Sequence, residues 1–424
     1  MSSGRVGAGA AFSSLRIPAY KRLWWSGTFS FMSVQMQFLL RGVLAWDLTE
    51  REGALGLVYL CFGVAMLIST PLGGVAADRL PKRRVLLVSQ GVLLSSAAGM
   101  GFAVITDQLQ FWMLAIAALA QGAAFGFYGP TRVAFTAEIV GRDQLGNAIT
   151  LSMLSLNGTR VFAPSVAGAL AGVALVGVGG VYLISATFSL ASFLLLTRCP
   201  PGSTPDTESS TRPWTEIMDG VRYVRARPHL RRLIISSFVV IMFGFNYIAF
   251  VPALVKGTFD LSDGWVGLMM SASSIGAVLV AIPIAGRADG VGVWRLMVIS
   301  GFVFGGGVIA LGLSMWFFLA CVMIGVVGAG ATGYQSLSNT IALNMTEDSH
   351  QGRVQSLLML SFAGFGIAAA PLGLVAELIG IRPAIVLMGL ATVSAALVYA
   401  SIERGDQTEI ERGVRAEHEI AGAE

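Results

Sequence analysis

Long apolar runs separated by short polar segments follow one another along most of this chain. Twelve of them lie between residues 23 and 402, and some, such as 85–105, contain no charged residue. About 20 apolar residues at 1.5 Å rise per residue cross the roughly 30 Å hydrocarbon core of a bilayer. Because lipid offers no hydrogen bonds to a backbone, each run must be an α-helix that satisfies its own amides. The pattern predicts an all-α membrane protein with twelve transmembrane helices.

The predicted helices, numbered 1 to 12 in chain order, cover residues 22–47, 54–77, 85–105, 111–138, 146–176, 179–197, 233–255, 264–286, 294–313, 317–346, 354–379 and 383–402. Their even number places both tails on one side of the membrane, which we name the tail side, opposite the far side. Tail-side segments are rich in Lys and Arg, whereas the far-side segments carry Arg51, Lys256 and Arg382. Because cytoplasmic loops accumulate such residues, we expect both termini to be cytoplasmic in a cell (inner) membrane.

A polar segment between helices 6 and 7 divides the chain into two halves. It begins with the Pro-, Ser- and Thr-rich run CPPGSTPDTESSTRP, after which apolar residues recur at helical spacing at Trp214, Ile217, Val221 and Val224. This spacing predicts an amphipathic helix, either on the membrane surface or as a solvated connector. The predicted units are a cytoplasmic N-terminal tail at 1–21, a six-helix bundle at 22–197, a cytoplasmic linker at 198–232, a second six-helix bundle at 233–402 and a cytoplasmic C-terminal tail at 403–424, disordered or loosely helical.

The two halves contain matching motifs. Asp78 follows helix 2 and Asp289 follows helix 8, about half the chain length apart and in similar local sequences. The pair Ala163-Pro164 in helix 5 recurs as Ala370-Pro371 in helix 11. Internal repeats of this kind are typical of transporters, so a duplicated six-helix unit is the simplest interpretation.

The loop after helix 2 resembles the signature of the major facilitator superfamily, Gly-x-x-x-Asp-Arg-x-Gly-Arg-Lys. The matching residues are Gly74, Asp78, Arg79 and Lys82 or Arg83, with Pro81 where glycine is usual. Segments 130–138, 144–148 and 160–164 resemble the branch that contains the enterobactin exporter and macrolide efflux pumps. The resemblance spans roughly residues 15–402 and implies the major facilitator fold, two pseudo-symmetric six-helix bundles that carry a small molecule.

The same resemblance implies a set of gating residues. It places Asp78 against the start of helix 11 and pairs Glu138 of helix 4 with the basic side of the loop. The segment around Pro164 resembles the superfamily's antiporter motif, although alanines replace two of its glycines, and it favours export by antiport. Charges that only set topology, and a proline that only serves packing, are the alternatives. The predicted gating residues are Gly74, Asp78, Arg79, Arg83, Asp289 and Pro164.

Arg160 is the most informative polar residue within the predicted helices. It lies about 15 Å into helix 5 if hydrocarbon begins near Thr150. A lone charge at that depth costs at least roughly 2.5 kcal/mol on insertion scales and usually faces a cavity or a partner. Asn157 lies one turn away on the same face. We expect Arg160 to contact substrate or a gate, or else to be a structural arginine bonded to helix carbonyls or helix 1.

In the superfamily, helices 1, 4, 7 and 10 line the central cavity. By resemblance, the further substrate-binding candidates are Gln35, Arg41, Gln121, Phe125, Tyr128, Asn246, Tyr247, Tyr334 and Asn339. Such aromatic surface with scattered amides suits a bulky amphipathic solute, although each aromatic residue could equally serve packing. Arg41 either attracts an anionic group or extends outward to the far-side surface.

Proton coupling needs a carboxylate that exchanges protons near the cavity. Asp47 on helix 1 is the first candidate, followed by Glu138 and Glu377. The sequence lacks a phosphate-binding loop for ATP, its three histidines lie outside the predicted helices, and Cys61, Cys199 and Cys321 are isolated from one another. We therefore expect no enzyme activity, no cofactor, no metal and no disulfide.

The function that we predict is export of a small amphipathic, drug-like or siderophore-like compound by alternating access, with proton antiport. The expected partners are this substrate, protons and membrane lipid. The net charge of +4 reflects topology and indicates no nucleic acid. We expect a monomer. The alternatives are a facilitator or importer of a metabolite, and a non-transporting membrane scaffold of the same fold.

Overall fold

The structure, a computed structural model, describes residues 13–141, 144–202, 213–285, 292–347 and 351–421. Within these ranges the chain forms twelve long helices, a 3₁₀ turn at Ser13–Arg16 and a shorter linker helix at Pro213–Ala226. Helices 1 to 6 are Pro18–Thr49, Glu52–Arg79, Lys82–Ile105, Phe111–Val140, Leu145–Ala171 and Gly177–Thr197. Helices 7 to 12 are Pro228–Thr258, Asp263–Ala285, Val293–Leu313, Phe317–Asn344, Gln351–Ile379 and Ile381–Ala421.

Nine of the described helices are long and apolar enough to cross a membrane by length and composition alone. In helix 11 the segment Ala363–Ile379 is apolar. Polar residues lower the mean hydropathy of helices 1 and 5. In helix 1 these residues face other helices: the Ser26 hydroxyl lies 2.8 Å from that of Ser192, and the Ser30 hydroxyl donates to Gln90 at 3.0 Å. The polar positions are therefore satisfied inside the protein and are not presented to lipid.

Helices 1–6 and helices 7–12 form two bundles with the same pairing of helices. In the first bundle helix 2 packs on helix 4, and helix 3 packs on helices 4 and 6. In the second, helix 8 packs on helix 10, and helix 9 packs on helices 10 and 12. Between the bundles, helix 2 packs on helix 11 and helix 5 packs on helix 8. Matching helices 1–6 with helices 7–12 turns one of these contacts into the other. The pseudo-symmetric arrangement predicted from the repeats is confirmed.

The predicted helices 5, 7 and 12 differ most from the structure. Helix 5 ends at Ala171, five residues early, because a turn follows and helix 6 then starts at Gly177, whose φ of 58° favours glycine. Helix 7 is interrupted by π-helical turns at Val240–Gly244 and Ala253–Thr258. Helix 12 continues to Ala421, since its tail is rich in Glu, Arg and Ala, which favour helix.

The linker helix packs against helices 2 and 11 on the tail side. Its buried face includes Tyr223 and Val224, whereas Val221, which the spacing placed in the apolar stripe, is 40% exposed. The Tyr223 hydroxyl accepts a hydrogen bond from the backbone N–H of Glu347 at 3.0 Å. Arg227 lies over the Tyr223 ring and pairs with Glu347 at 2.6 Å. These contacts attach the linker helix to the end of helix 10.

Candidate functional site

Helices 5 and 8 approach each other closely in the far half of the molecule. A Cβ on Gly168 would lie 2.3 Å from the Cα of Gly267, and one on Gly172 would lie 2.4 Å from the Cα of Gly264. Glycine at these positions lets the two backbones touch. Toward the middle of the same pair, the hydroxyl of Ser165 donates to the carbonyl of Met270 at 3.1 Å.

Helices 2 and 11 form the symmetry-related contact. A Cβ on Gly63 would lie 2.8 Å from the Cα of Gly366, so these backbones are also in contact. Beside them Phe38, Tyr59 and Phe365 form a cluster that we name the aromatic plug, with ring centroids 4.7 to 5.8 Å apart. Such spacings are typical of favourable aromatic pairs. The plug joins helices 1 and 2 of the first bundle to helix 11 of the second.

Ion pairs join the two bundles at the far surface. Lys256, at the end of helix 7, contacts Asp47 of helix 1 and lies 2.6 Å from Asp263 of helix 8. Arg51 donates to Glu377 of helix 11 at 3.0 Å, and this hydrogen bond raises the pKa of the Arg51 guanidinium. The Arg51 side chain is exposed, and an exposed ion pair typically contributes below about 1 kcal/mol, so this pair can open and close readily. The far half is thus closed by glycine contacts, the aromatic plug and breakable ion pairs.

A small recess lies between the bundles on the tail side of this closed region. The Arg160 guanidinium donates to the side-chain oxygen of Gln335 on helix 10, which joins the two bundles across the recess. The Tyr334 hydroxyl lies 3.0 Å from that of Ser236 on helix 7. The recess is lined by Met153, Leu156, Asn157, Arg160, Ser237, Ile241, Phe245, Tyr334, Gln335, Ser338, Asn339 and Leu358.

The recess holds about 10 Å³ of free volume. This is room for about one water molecule, so an organic solute needs the walls to separate. Its chemistry is mixed: a guanidinium, several amides and hydroxyls, and apolar surface from Met153, Ile241 and Phe245. Such walls suit an amphipathic molecule with hydrogen-bond acceptors or negative charge.

The predicted substrate-binding residues separate into two groups. Arg160, Asn157, Tyr334 and Asn339 line the recess together. In helix 7, Asn246 instead donates to the carbonyl of Phe365 at 3.1 Å and so ties helices 7 and 11, and Tyr247 packs on Phe304. The remaining candidates, Gln35, Arg41, Gln121, Phe125 and Tyr128, lie on helices 1 and 4 away from the walls of the recess.

Within the first bundle the alternative that Arg41 extends to the far surface is wrong. Arg41 is 2% exposed and donates to Gln121, which is fully buried, as is Tyr128. Phe125 lies between the rings of Phe31, Phe62 and Tyr128. Arg41 points inward because helices 1, 2 and 4 enclose it, a tertiary contact that spacing along helix 1 does not reveal.

A family model described as transmembrane secretion effector, MFS_3, matches residues 9–417 of the chain. The chain belongs to this family. It is a transporter of the major facilitator superfamily and a multi-pass membrane protein, not an enzyme. This transporter is 25% identical over 363 residues to the enterobactin exporter EntS of Shigella flexneri. The aligned residues cover 84% of each chain. It is 22% identical over 366 residues to the staphyloferrin A transporter of Staphylococcus aureus, covering 82% of this chain and 87% of the relative.

Solved structures share the fold of this transporter. The nucleoside transporter NupG matches with a TM-score of 0.68 at 16% identity, over 90% of this chain and 98% of NupG. A second match is a bacterial homologue of the human lysosomal transporter Spinster, in an inward-facing and unoccupied conformation. Its TM-score is 0.71 at 14% identity, over 92% of this chain and 97% of the homologue. Identities this low establish the fold and leave substrate open.

The signature loop of this transporter lies at the tail-side ends of helices 2 and 3. Lys82 pairs with Glu138 of helix 4 at 3.1 Å, the kind of contact that the resemblance implied. Arg83 donates to the carbonyl of Cys199 at 2.8 Å. Asp78 and Arg79 are exposed at the end of helix 2, Gly74 is half-buried one turn earlier, and Pro164 lies within an uninterrupted helix 5. Asp289 lies outside the described residues.

Replacing Asp78 with asparagine should lower flux about tenfold and leave membrane insertion intact. The substitution keeps size and removes the charge, and a charge-assisted contact contributes about 1.5–3 kcal/mol, a tenfold or larger effect on the balance between conformations. Uptake into proteoliposomes, normalised to protein yield, measures it. Asp219→Asn on the exposed face of the linker helix is the matched control and should transport normally. Normal flux in Asp78→Asn would favour the alternative interpretation, in which the charges of this loop only set the topology.

Proposed function

We propose that this transporter exports a small amphipathic organic compound, siderophore-like or drug-like, across the cell (inner) membrane by alternating access, in exchange for protons. The observation that carries this proposal is the recess at the junction of the two bundles, where Arg160 meets Gln335 beneath a closed far half. A site shared by two pseudo-symmetric bundles is the arrangement from which rocking of one bundle against the other exposes opposite sides in turn.

The conformation supports a direction for this cycle. Because the far half is closed by glycine contacts, a compound would reach the recess from the tail side once the walls of the recess separate. The concentration of Lys and Arg in tail-side segments favours a cytoplasmic tail side. A state whose far half is closed suits a carrier that collects its cargo inside the cell.

The substrate class is supported by the recess and by the relatives. A guanidinium surrounded by amides and a tyrosine favours a compound with oxygen acceptors or negative charge, and the apolar residues beside it favour a hydrophobic body. The relatives bear the names of a siderophore exporter and a siderophore transporter. A siderophore-like compound therefore fits both observations.

The test is transport by purified protein in proteoliposomes that contain a pH-sensitive dye. Enterobactin, staphyloferrin A and a panel of lipophilic drugs are added outside. Antiport is expected to raise the internal pH as one compound enters and protons leave. Uptake without any pH change would make the protein a facilitator, and no uptake of any compound, despite correct insertion, would favour the non-transporting scaffold.

Asp47→Asn should abolish the pH change in the same assay if Asp47 carries the proton. Asp263→Asn is a matched control, because the Asp263 carboxylate contacts the same lysine, Lys256, as Asp47 does. We expect Asp263→Asn to keep the pH response, since helix 8 provides only the ion pair. Equal loss in both variants would instead assign Asp47 to the far-side ion pairs and withdraw it from coupling.

A further inference from the structure

Arg41 lies buried inside the first bundle. Its guanidinium lies 5.8 Å from the ring centroid of Phe62, and its Nη2 donates to the Oε1 of Gln121. Among the residues that the structure describes, no carboxylate pairs with Arg41. A buried cation is costly within a membrane and is retained where it binds something or faces a pathway.

Two hydrogen-bond donors remain unused at this position. Nη1 of Arg41 and Nε2 of Gln121 are shielded from solvent and have no hydrogen-bond partner within the part of the chain that the structure describes. The oxygen of the Gln121 amide accepts from Arg41, so the amide offers its nitrogen on the other side. A charged donor beside a neutral donor complements an anionic oxygen, since such charge-assisted bonds are roughly twice as strong as neutral ones.

This pair of donors lies close behind the aromatic plug. Phe38 of the plug contacts Phe62, the ring beneath Arg41, at a centroid distance of 6.1 Å. The residue after Arg41, Gly42, faces helix 7, because a Cβ there would lie 3.3 Å from Pro252. Separation of helices 1 and 2 from helices 7 and 11 would therefore part the plug and open a route to Arg41 from the far side.

The recess and the Arg41 position lie on opposite sides of the plug. Leu358 of helix 11 lines the recess, whereas Phe365, two turns further toward the far side, belongs to the plug. On helix 1, Arg41 follows Phe38 by about one turn, again toward the far side. The two arginines thus stand on either side of the plug: Arg160 on the tail side and Arg41 on the far side.

We propose that Arg41 and Gln121 form a second anion site, which holds a negatively charged oxygen group of the transported compound when the far side is open. The compound's anionic group contacts Arg160 when the tail side is open and Arg41 when the far side is open. The direction of this sequence rests on the proposed function, whereas the existence of the second site does not. A free inorganic anion such as chloride would satisfy the same donors.

The test measures binding to full-length protein held open on the far side and lacking the first site. Gly168→Val keeps the far half open, and Arg160→Met removes the first guanidinium. Equilibrium dialysis compares naphthoate, an amphipathic carboxylate, with its uncharged amide. We expect naphthoate to bind and the amide not to bind. Adding Arg41→Met and Gln121→Leu should weaken naphthoate binding about tenfold or more, the effect of losing charge-assisted hydrogen bonds.

Arg132→Met is the matched control in that protein. Arg132 is also a buried arginine of the first bundle that lies over an aromatic ring, 5.0 Å from Phe31. Its loss should leave naphthoate binding unchanged. Without ligand, the Arg41→Met, Gln121→Leu variant should melt at the same temperature as its parent or higher, because an unpaired buried charge is gone. A lower melting temperature would assign Arg41 a structural role and overturn the proposal.

Three other results would also overturn it: no naphthoate binding, equal binding with and without Arg41, or equal binding of the amide. Binding of chloride that excludes naphthoate would show a site for inorganic ions and reject the substrate role. Dialysis needs no transport, so a failure of the antiport assay leaves this measurement intact, and failure of the second site leaves export through Arg160 standing.

Discussion

Gly168→Val is expected to lower transport about a hundredfold while the protein still folds and inserts. A Cβ at this position would lie 2.3 Å from the Cα of Gly267, and the reciprocal Cβ on Gly267 would lie 2.2 Å from the carbonyl carbon of Gly168. Backbone atoms cannot move aside as a flexible side chain can, so valine forces helices 5 and 8 apart. Overpacking of this kind costs about 1–3 kcal/mol or more, enough to depopulate the far-closed state.

Gly158→Val is the matched control for this prediction. It lies on the same helix, and a Cβ there would meet no atom within 4 Å. Valine at Gly158 should therefore leave transport near the wild-type level. A loss of activity in both variants would point to helix propensity and not to the contact with Gly267.

Labelling can show that Gly168→Val acts by holding the far side open. In a background without Cys61, Cys199 and Cys321, Phe38→Cys places a thiol in the aromatic plug. A membrane-impermeant maleimide added from the far side should label this thiol in Gly168→Val and label it poorly in the parent. Full transport by Gly168→Val, or an unlabelled thiol, would contradict the far-closed geometry described above.

The helices were predictable because lipid offers no hydrogen bonds, so an apolar segment that crosses it must form an α-helix to satisfy its own backbone. Apolar runs such as 85–105 had to be helical, and helix 3 in the structure, Lys82–Ile105, differs from that run by only three residues at one end. The pseudo-symmetry was predictable because Asp78 and Pro164 recur half a chain later. The bounds that differed, such as the end of helix 5 at Ala171, depend on turns outside the hydrocarbon, where backbone groups have alternative partners.

The candidate site was predictable only in part. The sequence indicates how deep in the membrane a side chain lies, but not which neighbouring helix it faces. The depth of Arg160 indicated a cavity or a partner, and the structure places it in the recess beside Asn157. Its actual partner, Gln335, lies 175 residues away on the other bundle. No spacing rule along one helix could have chosen Gln335 from the polar residues of helix 10.

The same limit explains Arg41 and Lys256. The position of Arg41 near the far end of helix 1 was compatible with an outward direction, and only the packing of helices 2 and 4 around it shows that it is buried. Lys256 was assigned to topology, although it contacts carboxylates from two helices, Asp47 and Asp263. Contacts between bundles are long-range, so they arise from the folded arrangement and not from any local pattern.

Arg160→Ala should lower transport of an anionic compound about 10- to 100-fold, because it removes charge-assisted hydrogen bonds that contribute about 1.5–3 kcal/mol. Arg160→Lys should retain part of the activity, since lysine keeps the charge and loses the planar fork of donors. Initial rates of substrate uptake into proteoliposomes, measured against concentration and normalised to inserted protein, give KM and maximal rate for each variant. Equal loss of protein yield in both variants would instead indicate a structural arginine.

Gln335→Ala separates the two ways in which Arg160 can act. If the arginine serves only to tie helix 5 to helix 10, removing its acceptor should reduce transport as much as Arg160→Ala does. If the arginine binds substrate, Gln335→Ala should retain transport and lower KM, because the guanidinium no longer has to exchange an internal partner for the compound. The protein is thereby expected to bind substrate by exchanging the Gln335 oxygen for an oxygen of the cargo. That exchange would also separate the walls of a recess whose free volume, about 10 Å³, holds little more than a water molecule.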